Sequence, residues 1–206
     1  GQSAASVSGQ LIGRSSPAFL VARTPGEALG FDRRDQSAAT LRHQLGRLGL
    51  TAVAERGEGL LFQARYGARD PFLRSPYSLF GIAADRRLGA LRLEGGLTRM
   101  DEDRTVLGAR FGPLFGRGGA STWFADVRAD WALGQGWSIG AAARQGWTRM
   151  QAGSLIARDP LIRSNGFSLD VGKAGLFGGD ALIFRLSQPL RVSSGALGVR
   201  LPVTYD

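Results

Sequence analysis

Residue types that commonly build catalytic and metal sites are scarce in this chain. Its 206 residues include no cysteine, which excludes disulfides and thiolate metal sites. His43 is the single histidine, and one histidine argues against a histidine-based zinc site or a Ser-His-Asp triad. We therefore predict no catalytic, cofactor-binding or metal-ligating residue, and no enzyme activity of this chain by itself.

Long hydrophobic runs are also missing. The longest stretches without a charged residue are Gly1–Gly13 and Trp131–Ala143, each of thirteen residues. A transmembrane helix needs about 20 apolar residues, so this pattern excludes a helix that spans a membrane. The first residues lack the basic start and apolar core of a signal peptide, so we expect an exported protein to be present here as a mature or excised fragment.

Lysine is almost absent, although the chain carries a net charge of +9. Lys173 is the only lysine among 26 basic residues, and no run of arginines exceeds two. Binding to nucleic acid favours basic residues clustered on one helix or loop. Here the arginines are spread along the whole chain and mostly alternate with apolar residues, so we predict no nucleic-acid partner.

What the chain does contain is strict alternation, clearest in a central hairpin with arms Thr122–Leu133 and Trp137–Thr148. On the first arm, apolar Val127 stands between charged Asp126 and Arg128. A period of two indicates a β-strand, because successive side chains point to opposite sides of a sheet. Each arm is longer than the roughly 9–11 residues with which a tilted strand crosses a bilayer.

Tryptophans stand near the ends of these two arms, where an aromatic girdle would meet lipid headgroups. We predict these membrane-interface residues to be Trp123, Trp131, Trp137 and Trp147. The fold class predicted is all-β, an antiparallel up-and-down transmembrane β-barrel of ten to twelve strands in the bacterial outer membrane. A soluble antiparallel sandwich also alternates, but alternating runs of ten to twelve residues exceed the roughly 5–6 typical of soluble sheets.

The pattern divides the chain into a linker or lumen plug at residues 1–37 and a barrel domain at residues 38–206. Separate strands are predicted over residues 48–55, 60–66, 105–111 and 197–203. Short turns are predicted at Gly46-Arg47, Arg56–Glu58, Asp85–Arg87, Gly134–Gly136, Phe177–Asp180 and Val192–Ser194. Long loops are predicted at Gly67–Tyr77, Pro113–Ser121 and Arg149–Asn165. In this assignment the first long loop falls on the opposite side of the barrel from the other two. Either one strand between residues 38 and 85 is missed or invented, or that loop is an exception.

The alternation also assigns the two faces of the barrel. The predicted lumen-lining residues are Arg65, Arg92, Glu94, Arg110, Asp126, Arg128, Asp130, Arg144, Asp170, Arg185 and Arg200. The predicted lipid-facing residues are Leu60, Phe62, Leu91, Leu93, Val127, Ala129, Ile139, Ala141, Leu182, Phe184, Leu197 and Val199. The lumen charges either guide a passing chain or solute, or pair across strands to stiffen a narrow barrel. We expect Arg144→Ala to leave membrane assembly nearly intact.

Several strand and hairpin segments carry a family resemblance. They are Leu107-Gly108-Ala109-Arg110, Trp137–Ala141, Gly146-Trp147-Thr148, Leu186–Val192 and Leu201–Asp206. Through them, residues 104–206 resemble the carboxy-terminal β-barrel of subtilisin-like serine protease autotransporters of alphaproteobacteria. These segments characterise a domain and not a chemistry.

The resemblance implies a translocator domain that anchors an amino-terminal passenger, here a subtilisin-like protease outside this chain. Its implied partners are outer-membrane lipid or lipopolysaccharide, the barrel-assembly machinery and the passenger. Barrels of this kind usually finish with an aromatic residue, whereas this chain stops at Tyr205-Asp206, so we expect it to be truncated. A small outer-membrane porin with an arginine-rich, anion-favouring lumen and a soluble β-rich binding module are the alternatives.

Overall fold

The structure, a computed structural model, describes residues 31–61, 74–107, 118–151, 161–176 and 180–195. These residues form strands and no helix, and the strands are 12 to 15 residues long. They are β1 (Phe31–Leu45), β2 (Leu48–Leu61), β3 (Arg74–Leu88), β4 (Leu91–Glu102), β5 (Ala120–Gly134), β6 (Trp137–Met150), β7 (Leu161–Ala174) and β8 (Ala181–Ser194). The first strand begins at Phe31, so the last seven residues of the predicted segment 1–37 lie in β1.

Each strand pairs antiparallel with the next along the chain, in one sheet with the order β1 to β8. The predicted all-β, up-and-down fold is confirmed. Within the described residues no pairing joins β1 to β8, so the sheet is barrel-like but open. The described residues contribute eight strands where the sequence predicted ten to twelve, and the predicted strand at residues 197–203 lies outside them.

The connections between strands sort by length onto the two ends of the sheet. The strand ends joined through residues 46–47, 89–90, 135–136 and 175–180 lie at one end of the sheet, which we call the short-turn end. The strand ends joined through residues 62–73, 103–119 and 151–160 lie at the other, which we call the long-connection end. This separation is typical of outer-membrane barrels, whose short turns face the periplasm and whose long loops face outward.

Three predicted turns were wrong. Arg56–Glu58 lies inside β2, which runs unbroken to Leu61, Asp85–Arg87 lies inside β3, and Val192–Ser194 forms the end of β8. Correcting the first of them removes the misplaced loop. The polar residues misled the assignment because in this sheet they occupy strand ends and part of one face. The separate strand predicted over residues 60–66 was also wrong at its start, because Leu60 and Leu61 belong to β2.

The strand predicted over residues 105–111 is not one in its described part. Val106 makes a single bridge and Leu107 lies in a turn with a φ of 51°. The carboxylate of Glu102 accepts hydrogen bonds from the Thr105 hydroxyl at 2.7 Å and from the Leu107 amide at 2.8 Å. These bonds fold the chain back over the sheet, because a buried carboxylate must be satisfied by nearby donors.

The β5–β6 turn shows why glycine is needed at both of its ends. Gly134, Gln135 and Gly136 have φ angles of 89°, 48° and 81°, a region that L side chains rarely adopt. A Cβ on Gly136 would also collide with the backbone carbonyl of Ala174. The predicted turn at Gly134–Gly136 is therefore confirmed and fixed by backbone geometry.

Candidate membrane surface and interior face

The two faces of the sheet differ in chemistry and in exposure. On β5 we call the side that carries Trp123, Val127 and Trp131 the outer face, and the side that carries Phe124 and Asp126 the inner face. Phe124 is fully buried whereas Val127 is 61% exposed. Large apolar side chains on the outer face stay exposed on all eight strands, namely Leu41, Leu45, Leu48, Leu50, Phe80, Ile82, Leu93, Leu97, Val127, Trp137, Trp147, Phe167, Leu169, Leu182, Phe184 and Leu186.

The four tryptophans form two pairs at two levels of the outer face. Trp123 on β5 is the register partner of Trp147 on β6, toward the long-connection end. Trp131 and Trp137 flank the turn at the opposite end of the same two strands. At about 3.3 Å per residue and a tilt of about 35–45°, the two levels are about 20–27 Å apart along the barrel axis. An apolar band of about 25 Å between aromatic girdles is characteristic of outer-membrane barrels.

Cationic side chains stand beside the aromatic pairs. The Arg99 guanidinium lies 5.9 Å from the ring centre of Trp123, and the Lys173 ammonium lies 5.5 Å from that of Trp137. Between Trp123 and Leu133, and between Trp137 and Trp147, no outward-facing position is charged. The outer face of the central hairpin is thus apolar in the middle and ends in tryptophan and charge at both levels.

The inner face toward the short-turn end holds ion pairs between neighbouring strands. Arg144 on β6 binds both carboxylate oxygens of Asp126 on β5, at 2.5 and 3.1 Å, and lies over the Phe124 ring at 5.2 Å. Arg185 on β8 donates to Asp170 on β7 at 2.5 Å. Each of these two pairs joins direct register partners, so it ties adjacent strands together on the face away from the apolar surface.

A second set of ion pairs runs through β1, β3 and β4. Arg42 donates to Asp85 at 2.6 Å, and Arg92 lies 3.8 Å from Asp85 and 4.0 Å from Glu94. Sequence reasoning missed Arg42 and Asp85, because Asp85 was taken as a turn residue. Their position opposite the apolar face could have been found from the register, had β3 been traced through to Leu88.

The long-connection end of the inner face is packed with buried apolar side chains. Met100, Ala120, Phe124, Met150 and Leu190 form a buried cluster on strands β4, β5, β6 and β8, and Val106 and Leu107 pack into it from the β4–β5 connection. Several buried polar groups here are paired with one another: Tyr77 donates to Glu55 at 2.5 Å, and the Ser75 and Thr105 hydroxyls lie 2.9 Å apart. The inner face is therefore ionic toward one end and packed toward the other.

Three buried polar atoms on β6 and β7 have no hydrogen-bond partner within the described residues: Arg144 Nη1, Ser164 Oγ and Ser168 Oγ. All three belong to side chains on the inner face, in a region where Gly146 and Gly166 supply no side chain. Because buried polar groups are normally satisfied by protein or ordered water, this stretch of the inner face is suited to contact with water or with another polar chain.

Of the predicted lumen-lining set, the structure brings eight residues onto the inner face: Arg92, Glu94, Asp126, Arg128, Asp130, Arg144, Asp170 and Arg185. Arg128 pairs with Asp130 two residues along its own strand, at 2.6 Å. Arg65, Arg110 and Arg200 lie outside the described residues, as do Phe62, Leu197 and Val199 of the predicted lipid-facing set. The other lipid-facing residues with described side chains occupy the opposite face of the sheet: Leu91, Leu93, Val127, Ala129, Ile139, Ala141, Leu182 and Phe184.

The described residues contain no helix long and apolar enough to cross a membrane. Within the same ranges, no three histidine or carboxylate side chains are placed to hold a metal ion. Comparisons with protein-family models, curated proteins and solved structures found no match.

Proposed function

We propose that this chain is a bacterial outer-membrane β-domain whose outer face meets lipid. The observation that carries this proposal is the exposed apolar band of the outer face, with tryptophan pairs at two levels about one hydrocarbon thickness apart. Soluble proteins rarely leave so large and continuous an apolar surface exposed to water. In lipid the same surface is favourable, and the charged residues lie on the inner face or near strand ends.

More specifically, we propose that the domain serves as the translocator and anchor of an autotransporter. The resemblance of residues 104–206 to the barrels of subtilisin-like protease autotransporters supports this, and so does the arrangement of short and long connections at opposite ends. In this proposal the passenger is amino-terminal to the described strands, and the barrel-assembly machinery inserts the domain. The chain has no catalytic role of its own.

The inner face supports an anchor better than an anion-selective porin. Its arginines stand beside carboxylates, as in the pairs Arg144–Asp126 and Arg185–Asp170, which reduces the positive potential an anion would meet. Val106 and Leu107 also pack into the apolar cluster at the long-connection end. The alternative of a soluble binding module would leave the outer apolar band in water.

Membrane insertion is tested by folding the purified full chain into phosphatidylcholine vesicles. We expect vesicle-dependent protection from added protease and a gel mobility that changes on boiling, as a folded membrane barrel shows. A chain that stays monomeric and folded in buffer without lipid or detergent would overturn the membrane proposal.

The anchor role is tested separately by fusing a folded reporter domain to the amino terminus and expressing the fusion, with an export signal, in a Gram-negative host. We expect the reporter to become sensitive to protease added outside intact cells. A membrane-inserted chain whose reporter stays protected inside would reject the translocator role. A stable open conductance of the unmodified chain in planar bilayers would instead favour the porin.

A further inference from the structure

The outer face at the long-connection end carries an aromatic and basic row that the anchor role does not use. Arg99 on β4, Trp123 on β5, Trp147 on β6 and Arg163 on β7 are successive register partners across four strands. Arg149 lies two residues beyond Trp147 on β6, one step closer to the long connections. All five side chains share the outer face, so the row forms one continuous surface.

The arginines of this row differ in their charge balance. Arg99 is paired with Asp101 at 3.0 Å, and Asp101 also accepts a hydrogen bond from Ser121. Arg149 and Arg163 are both exposed, and neither pairs with a carboxylate of the described residues. Among the described residues, this surface therefore offers two guanidinium groups without a carboxylate partner beside the Trp123–Trp147 pair.

Register places these two arginines within reach of one anion. Trp147 is opposite Arg163 and Arg149 is opposite Leu161, which makes Arg149 and Arg163 diagonal neighbours on adjacent strands. Diagonal neighbours lie about 7–8 Å apart at the backbone, a spacing that long side chains bridge easily. Two guanidinium groups meeting at that spacing can hold a phosphate through paired, charge-assisted hydrogen bonds.

We infer that Arg149 and Arg163, with Trp147 beneath them, bind the phosphate group of a membrane lipid in the outer leaflet. This rests on the proposed membrane insertion, in which Trp123 and Trp147 lie at headgroup level and the long connections face outside the cell. The ligand class is a phosphorylated glycolipid such as the lipid anchor of lipopolysaccharide. Its acyl chains would lie along the apolar band below the tryptophans, and its phosphate would meet the two arginines.

The test compares lipid binding by the full chain and its R149Q/R163Q variant, each folded in phosphatidylcholine vesicles. The probes are vesicles containing a minor fraction of lipid A with its phosphates or of dephosphorylated lipid A. We expect phosphorylated lipid A to raise the unfolding temperature of the unchanged chain. For the same rise, the variant should need at least about tenfold more phosphorylated lipid A per arginine replaced. The matched control is R56Q. Arg56 on β2 is exposed on the outer face, in the same register row as Arg149 but away from the tryptophans.

The outcomes separate this inference from the proposed function. If the chain inserts into phosphatidylcholine but phosphorylated and dephosphorylated lipid A act alike, or R56Q loses as much as R149Q/R163Q, the lipid site is rejected and membrane insertion stands. If inorganic phosphate at the same concentration as phosphorylated lipid A abolishes the rise in unfolding temperature, the site binds free anions and the lipid assignment is overturned. Failure of all variants to insert into any vesicle rejects both proposals.

Discussion

Trp123 on β5 faces Trp147 on β6 as its direct register partner, and both indoles are exposed on the outer face. The second pair, Trp131 and Trp137, flanks the turn at the other end of the same hairpin. Exposed tryptophans at two levels of one apolar surface are unfavourable in water, where each leaves a large apolar area hydrated. They are favourable at the two interfaces of a bilayer, where the ring body is in an apolar layer and the N–H reaches water.

This arrangement predicts the depth of each tryptophan pair. When one pair is replaced by phenylalanine, the tryptophan fluorescence comes from the other pair. It should be quenched more by lipids brominated near the headgroup than by lipids brominated at the chain ends, because both pairs lie at an interface. The measurement is emission from the folded chain in the two kinds of vesicle. Stronger quenching by chain-end bromine for either pair would contradict the two-level arrangement.

The alternation of apolar and polar residues in the sequence predicted the fold class and the division of faces well, because a period of two is a local property of the strand. It failed where polar residues lie inside strands. Arg56–Glu58 and Asp85–Arg87 look like turns because soluble strands rarely hold such residues, yet here they occupy strand ends and the ionic face. Pairing partners such as Asp126 and Arg144 depend on register, which only the folded sheet specifies.

The fold-back of Thr105–Leu107 could not be predicted either. Its alternation continues that of β4, and the sequence contains no signal that Glu102 will capture the Thr105 hydroxyl and the Leu107 amide. That capture depends on the depth of Glu102 on the inner face, where it is 2% exposed. A buried carboxylate outweighs strand propensity, because leaving it without donors costs several kcal/mol.

The Asp126–Arg144 pair should matter for stability, a property separate from the sequence-based expectation that Arg144→Ala leaves membrane assembly nearly intact. Arg144 is only 7% exposed and binds Asp126 through two nitrogens. Asp126→Asn should therefore lower the free energy of unfolding by about 2 kcal/mol or more, since it leaves a buried guanidinium without its counter-charge. Urea unfolding of the vesicle-inserted chain measures it.

The exposed pair Arg99–Asp101 supplies the control for that prediction. Both of its side chains are nearly half exposed, so Asp101→Asn should change the free energy of unfolding by about 1 kcal/mol or less. A double-mutant cycle on Asp126 and Arg144 should give a clear coupling energy, and one on Arg99 and Asp101 should give little. Equal coupling energies in the two cycles would show that water reaches the Asp126–Arg144 pair on the inner face as freely as it reaches the Arg99–Asp101 pair on the outer face.

The β5–β6 turn allows a paired test of backbone geometry. Gly134→Ala should lower the free energy of unfolding by about 1–2 kcal/mol, because its φ is positive. The cost should be no larger, since nothing lies within 4 Å of a new Cβ. Gly136→Ala should cost clearly more, because the new Cβ would also meet the Ala174 carbonyl between β7 and the turn. Unfolding midpoints of the two variants, measured side by side, report the difference. A smaller loss for Gly136→Ala would mean that the turn and β7 are not in contact.

The most direct test of the outer face is a charge placed in the middle of its apolar band. Val127 lies four residues from Trp123 and four from Trp131 on β5, and it is 61% exposed. If this surface meets hydrocarbon, Val127→Arg should destabilise the inserted chain by about 2–4 kcal/mol, the cost of arginine near the bilayer midplane. Ser78→Arg is the matched control, because Ser78 lies on the outer face of β3 opposite Asp101, at the charged end of the band, where the same change should cost about 1 kcal/mol or less.

Urea titrations in vesicles compare the two variants. In water the ranking would vanish, because an exposed valine replaced by arginine removes apolar surface and buries no charge. Equal stabilities for the two variants would therefore show that the exposed apolar band does not face lipid.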